Sequence, residues 1–131
     1  GVNAMTDVTG FGLMGHLLEM ASGSGCSASI DYANVPLIEG LQSYISQRIS
    51  PDATPRNWNA YSSKVKFEKG VNVMEAFTVL PDPQTNGGLL ISCTPSALIE
   101  VQQLLNENGL GTHINPIGKM IAKSEFGVYI N

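Results

Sequence analysis

Apolar side chains recur along this chain in two rhythms, one near 3.6 residues and one near 2. Behind a glycine-rich turn at 6–12, Met14, Leu17, Leu18 and Ala21 fall at the i, i+3, i+4, i+7 spacing of a helix face. Gly23 and Gly25 end that helix. Ala28, Ile30 and Tyr32 alternate with polar neighbours and predict a half-buried strand, with Pro36 marking its exit. A short helix is expected over 37–49, with Leu37, Leu41, Tyr44 and Ile45 on one side. Residues 50–63 are rich in Pro, Asp, Asn and Ser and read as a loop holding the only tryptophan, Trp58. Val65–Phe67 reads as a short strand and 73–80 as a helical turn, stopped by Pro81-Asp82-Pro83. A second glycine-rich turn, Gln84-Thr85-Asn86-Gly87-Gly88, leads into the apolar run Leu89–Cys93, which predicts a buried strand. Pro95 fits the first turn of a helix over 96–108. Leu98, Val101, Leu104 and Leu105 form its stripe and Gly109 its end. Strands are expected at 113–117 and 119–122, broken at Gly118, and at 126–130. The fold class is α+β, a layered mixed β-sheet with packed helices.

Size makes this one domain, residues 1–131. Its apolar fraction is 43% and its charged fraction only 14%, so disorder is excluded. Low charge also fits a domain that covers part of its surface with another domain or subunit. The net charge is −4 with 7 Lys+Arg, which argues against nucleic acid as a partner, since affinity there rests on Lys and Arg neutralising phosphates. No apolar run approaches the ~20 residues of a membrane span, and the N-terminus lacks the sequence of a signal peptide. Cys26 and Cys93 sit in no zinc or redox motif and read as two buried thiols of a cytoplasmic protein, with a single disulfide as the alternative. The chain starts Gly1-Val2-Asn3 and reads as the tail of a longer one.

Four of the 14 glycines fall in the two turns where chemistry is conceivable. In the first turn Asp7 precedes Thr9, Gly10 and Gly12 at a helix start. Free backbone N–H groups and the helix dipole favour an anion such as phosphate there, and glycines let it come close. An adjacent carboxylate suits a hard cation such as Mg²⁺. The competing reading is that Thr9 or Asp7 simply caps the helix. The spacing is neither a P-loop nor a dinucleotide fingerprint. In the second turn Gly87 and Gly88 stand at a strand entrance, where glycines allow a bulge or a close backbone approach, so a structural role is expected.

Together the two motifs are far more specific than either alone. Thr6-Asp7-Val8-Thr9-Gly10-Phe11-Gly12-Leu13-Met14-Gly15-His16-Leu17 and Asp82-Pro83-Gln84-Thr85-Asn86-Gly87-Gly88-Leu89-Leu90 resemble the C-terminal half of the selenide, water dikinase family, within the aminoimidazole ribonucleotide synthetase superfamily. Ala28-Ser29-Ile30-Asp31, Val35-Pro36 and Arg56-Asn57 match in order. Asn86 stands where the family usually has Ser, and Met14 where it has an aliphatic residue, often Leu.

The resemblance implies a Mg²⁺-dependent homodimer that makes selenophosphate from ATP, selenide and water, releasing AMP and phosphate. It assigns the reactive Cys or selenocysteine and an essential Lys to an N-terminal half. It carries one metal ligand onto this chain, Asp7. Thr9, Gly10 and Gly12 would shape the turn near phosphate. The expected partners are the N-terminal domain, a second subunit, ATP and selenide, and this segment alone is expected to be inactive. A non-catalytic dimerising or ligand-binding domain, or another ATP-dependent synthetase or kinase of the superfamily, remains the alternative. His16 reads as a packing or interface histidine too far from Asp7 to pair with it, and His113 as a half-exposed strand residue. Trp58 and Tyr61 read as loop anchors or a lid, and Arg56 as an anion or salt-bridge partner.

Overall fold

A computed structural model describes all residues, 1–131. Helix α1 (Gly12–Gly23) buries Met14, Leu17, Leu18 and Ala21, as their spacing dictates, together with His16. It packs on a four-stranded mixed sheet built from β2 (Cys26–Ile30), β3 (Val65–Phe67), β5 (Gly118–Ala122) and β6 (Val128–Ile130). The order is β3-β6-β2-β5. β6 runs parallel to both β3 and β2, and β5 runs antiparallel to β2. Ala28, Ile30, Val65, Val128 and Ile130 bury the inner face against α1. The buried Ser27 hydroxyl donates to the Phe126 carbonyl at 2.7 Å and accepts from the Ser124 amide at 3.0 Å, so its burial leaves no polar atom unpaired.

A second sheet is a two-stranded antiparallel ribbon of β1 (Val2–Asp7) and β4 (Leu89–Cys93). Thr6 faces Leu90, Met5 faces Ile91 and Asp7 faces Leu89. β1 was not apparent from the sequence. β4 is a strand, but only Leu90 is buried, so the expectation of a buried strand is corrected. On its other face Leu89 is exposed and Ile91 and Cys93 are half-buried.

Helix α2 (Leu41–Ser46) is shorter than the 37–49 expected and buries nothing. Helix α3 (Ala53–Tyr61) occupies the stretch read as a loop. Its inward residues are Thr54 and Tyr61, with Trp58 edge-on to Phe77 at 5.2 Å and tilted against Phe67 at 5.6 Å. Helix α4 (Val73–Val79) is capped by Asn72, whose side chain accepts from the Glu75 amide at 3.3 Å. Helix α5 (Leu98–Glu107) forms as expected, yet its stripe is not fully buried: Leu98, Val101 and Leu105 are half-buried and Leu104 is 61% exposed. The strand expected at 113–117 is absent: a 3₁₀ turn at Gly111–His113 leads into irregular chain, and Pro116 supplies no amide for a ladder. Cys26 and Cys93 are free thiols and half-buried rather than buried.

Candidate functional site

The two glycine-rich turns, more than seventy residues apart in sequence, interlock. Immediately after β1 the buried Val8 donates its amide to the Gly88 carbonyl at 2.9 Å, and its own carbonyl accepts from Gly87 at 3.2 Å. One residue on, the Thr9 carbonyl accepts from the Gln84 amide at 3.1 Å. At the start of α1 the Met14 amide donates to the Leu80 carbonyl at 2.9 Å. Two glycines make this approach possible. A Cβ on Gly12 would lie 2.6 Å from the Pro81 carbonyl carbon and 2.8 Å from the Leu80 and Asp82 oxygens, and its φ is +69°. A Cβ on Gly87 would collide with the Val8 carbonyl oxygen and side chain. Gly88, with φ +77°, supplies the left-handed turn and meets nothing. Gly10 has neither a crowded Cβ direction nor a positive φ, so the fold does not require glycine there.

Helix α3 then ties the first turn to the Pro81-Asp82 segment that leads into the second. The Asn57 amide group donates to the Gly10 carbonyl at 2.8 Å and to the Pro81 carbonyl at 2.9 Å. The Tyr61 hydroxyl donates to the Phe11 carbonyl, and burial pushes the phenol up to about 12. Thr54 donates to one Asp82 carboxylate oxygen at 3.1 Å and Gln84 to the other at 2.9 Å. Burial raises the Asp82 carboxyl above the ordinary carboxylate range, and these two hydrogen bonds only partly oppose it.

His16 completes the clamp from α1. Its Nε2 lies 3.0 Å from the Thr9 amide and 3.1 Å from the Thr9 hydroxyl. Nothing in the residue pattern hints at this bond; His16 sits seven residues beyond Thr9, so the helix turns it back over the loop. No side chain caps α1: Phe11 occupies the N-cap position. The capping role for Thr9 or Asp7 is thus not observed. The Thr9 amide is occupied by His16, which leaves the Gly10 and Phe11 amides as those free of hydrogen bonds in the turn.

Asp7 ends β1 at the lip of this assembly. Its carboxylate is exposed and makes neither a hydrogen bond nor an ion pair. It shares the outer face of the ribbon with Met5, Leu89, Ile91, Cys93 and Val2. Met5 is 60% and Leu89 61% exposed, so Asp7 stands at the margin of an uncovered apolar strip. No group of three His, Cys, Asp or Glu side chains gathers anywhere in the chain. Asp7 therefore offers a single hard oxygen donor group, which fits a Mg²⁺ site that draws its other ligands from elsewhere. Arg56 is exposed and unpaired, and His113 lies in the 3₁₀ turn, away from both motifs. A polar cleft of about 420 Å³ at Ser29, Asp31, Lys119 and Asn131 contains no residue of either glycine-rich turn. No helix is long and apolar enough to cross a membrane.

Comparison with known proteins places this sequence in a family. The chain is 42% identical over 130 residues to a selenide, water dikinase of Bordetella bronchiseptica, covering 99% of this chain and 36% of that protein. It is 42% identical over 128 residues to a selenide, water dikinase of Dechloromonas aromatica, covering 98% of this chain and 36% of the relative. With the same enzyme of Pseudomonas putida the identity is 39% over 130 residues, again 99% of this chain and 36% of the relative. The chain thus spans about a third of the length of the curated relatives it matches. Residues 1–131 match the family described as AIR synthase related protein, C-terminal domain, and the chain belongs to that family.

Proposed function

We propose that this chain is the C-terminal domain of an ATP-dependent selenophosphate synthetase, a phosphotransferase that turns ATP, selenide and water into selenophosphate, AMP and phosphate. Asp7 contributes one carboxylate to a Mg²⁺ site, and the remaining ligands, the reactive Cys or selenocysteine and the essential Lys come from an N-terminal domain. The observation that carries this reading is the position of Asp7: an exposed, unpaired carboxylate held directly before two interlocked turns. Mg²⁺ bound there would neutralise charge developing on phosphoryl oxygens. This chain's own part is to aim the carboxylate and to offer the free Gly10 and Phe11 amides at the helix start to an anion.

The open apolar strip beside Asp7 is the surface on which the N-terminal domain would dock, since a two-stranded ribbon is marginal unless its faces are covered. The working enzyme is a cytoplasmic homodimer, and residues 1–131 alone are inactive. The test is Asp7→Asn in the full-length enzyme, read as AMP formation against Mg²⁺. Activity should vanish while the circular dichroism spectrum stays unchanged. Wild-type turnover at limiting Mg²⁺ would refute the assignment. In residues 1–131 alone, NMR titration should show Mg²⁺ binding at Asp7 no tighter than millimolar, and no ATP hydrolysis.

A further inference from the structure

We infer that His16 is a positioning residue for the metal-ligating Asp7, acting through the backbone of Thr9; this rests on the metal reading proposed above. The Thr9 amide points at Nε2 from 3.0 Å, so Nε2 must be the unprotonated nitrogen and the ring must carry its proton on Nδ1. The Thr9 hydroxyl, at 3.1 Å, lies against the same nitrogen. The imidazole is only 8% exposed, and Nδ1 is buried without any partner. A leucine would fill such a site without orphaning a donor. What imidazole supplies and leucine cannot is an acceptor for the Thr9 amide.

That amide lies two residues beyond Asp7. Val8, between them, is fixed through both its backbone groups to Gly87 and Gly88, and the Thr9 carbonyl is fixed to Gln84. The Thr9 amide is the remaining backbone group of this segment, and His16 holds it. With that bond in place, the chain leaves β1 in one direction and the Asp7 side chain departs from one fixed backbone. Phe11, whose ring centroid is 6.0 Å from that of His16, packs beside the imidazole.

The experiment uses the full-length enzyme with Mg²⁺ and ATP and compares His16→Leu, His16→Gln and Asp7→Asn. His16→Leu keeps the bulk and removes the acceptor; His16→Gln places an amide oxygen within reach of the same amide. Groups that orient a metal ligand typically change metal affinity by about 10–100-fold. His16→Leu should raise the Mg²⁺ half-saturation by about 10-fold or more, with kcat at saturating Mg²⁺ within about 3-fold of wild type. His16→Gln should recover most of the lost affinity. Unchanged Mg²⁺ half-saturation in His16→Leu, or equal losses in both variants, would overturn the inference. If Asp7→Asn abolishes activity while His16→Leu leaves Mg²⁺ dependence intact, only the role of His16 fails. If Asp7→Asn is fully active, the metal reading fails and the inference falls with it. Should His16→Leu not fold, the imidazole tautomer of the wild type still decides: ¹H–¹⁵N long-range spectra must show the proton on Nδ1, and a proton on Nε2 would contradict the bond.

Discussion

Replacing Gly12 with alanine attacks the close approach of the first turn to the Leu80–Asp82 backbone. Two costs add. The residue sits at φ +69°, where a Cβ costs about 1–2 kcal/mol. The new methyl would also lie 2.6–2.8 Å from backbone atoms of Leu80, Pro81 and Asp82, none of which can rotate away. Overpacking of this kind costs about 1–3 kcal/mol. The sum is about 2–5 kcal/mol, a large share of the ~5–15 kcal/mol that holds a domain together. An unfolding entropy of about 2.1 cal/mol/K per residue makes each kcal/mol worth about 4 °C in a chain of 131 residues. Gly12→Ala should therefore lower Tm by about 8–20 °C, measured by circular dichroism or calorimetry. The control is Gly10→Ala, two residues away in the same motif. A Cβ there meets nothing and the backbone is unstrained, so Tm should stay within about 2 °C of wild type. Equal losses in the two variants, or a Gly12→Ala protein as stable as wild type, would refute the close-approach argument.

Two further substitutions probe the clamp. Asn57→Ala removes both hydrogen bonds to Gly10 and Pro81 and should cost about 1–3 kcal/mol in urea denaturation. Asn57→Asp should cost more, since it turns a carboxylate toward two carbonyl oxygens; an Asn57→Asp protein as stable as wild type would show that the clamp carries no stability. Asp82 tests pH dependence. Its folded-state pKa lies above the ordinary 3.8 because of burial, so the native state holds this proton more tightly than the unfolded chain does. The stability contributed by this group is complete below pH 3.8 and is lost as pH rises through the folded-state value. The Tm of Asp82→Asn minus that of wild type should therefore grow from about pH 4 upward; a difference independent of pH would exclude the effect.

What could be read in the sequence was what repeats locally. α1 was legible because Met14, Leu17, Leu18 and Ala21 all fall on one stripe and all meet the core. α3 was not, because its inward residues are Thr54 and Tyr61 and its Pro55 resembles loop composition. Pro55 in fact stands within the first turn, where a missing amide does no harm. The apolar run at Leu89–Cys93 announced a strand correctly but not its burial, since hydrophobicity on both faces does not say which face its own chain covers. At the site, Asp7 and Gly12 stood out as a motif, while Gly10 looked equally necessary and is sterically free. A close backbone approach at Gly87 was expected and is found, but its partner Val8, the Asn57 clamp and the His16–Thr9 bond were invisible because pairings of this kind are set by tertiary structure, not by spacing.

The ribbon's outer face places Asp7 directly across from Leu89. Whatever covers Leu89 and Met5 also displaces water from around the carboxylate. A charge losing water is costly by itself, but its attraction for a cation rises as the local dielectric falls. If Asp7 ligates Mg²⁺ as proposed, covering the strip and filling that site lower each other's free-energy cost. By reciprocity of linked equilibria, Mg²⁺ should tighten the docking of this domain by the same factor by which docking tightens Mg²⁺.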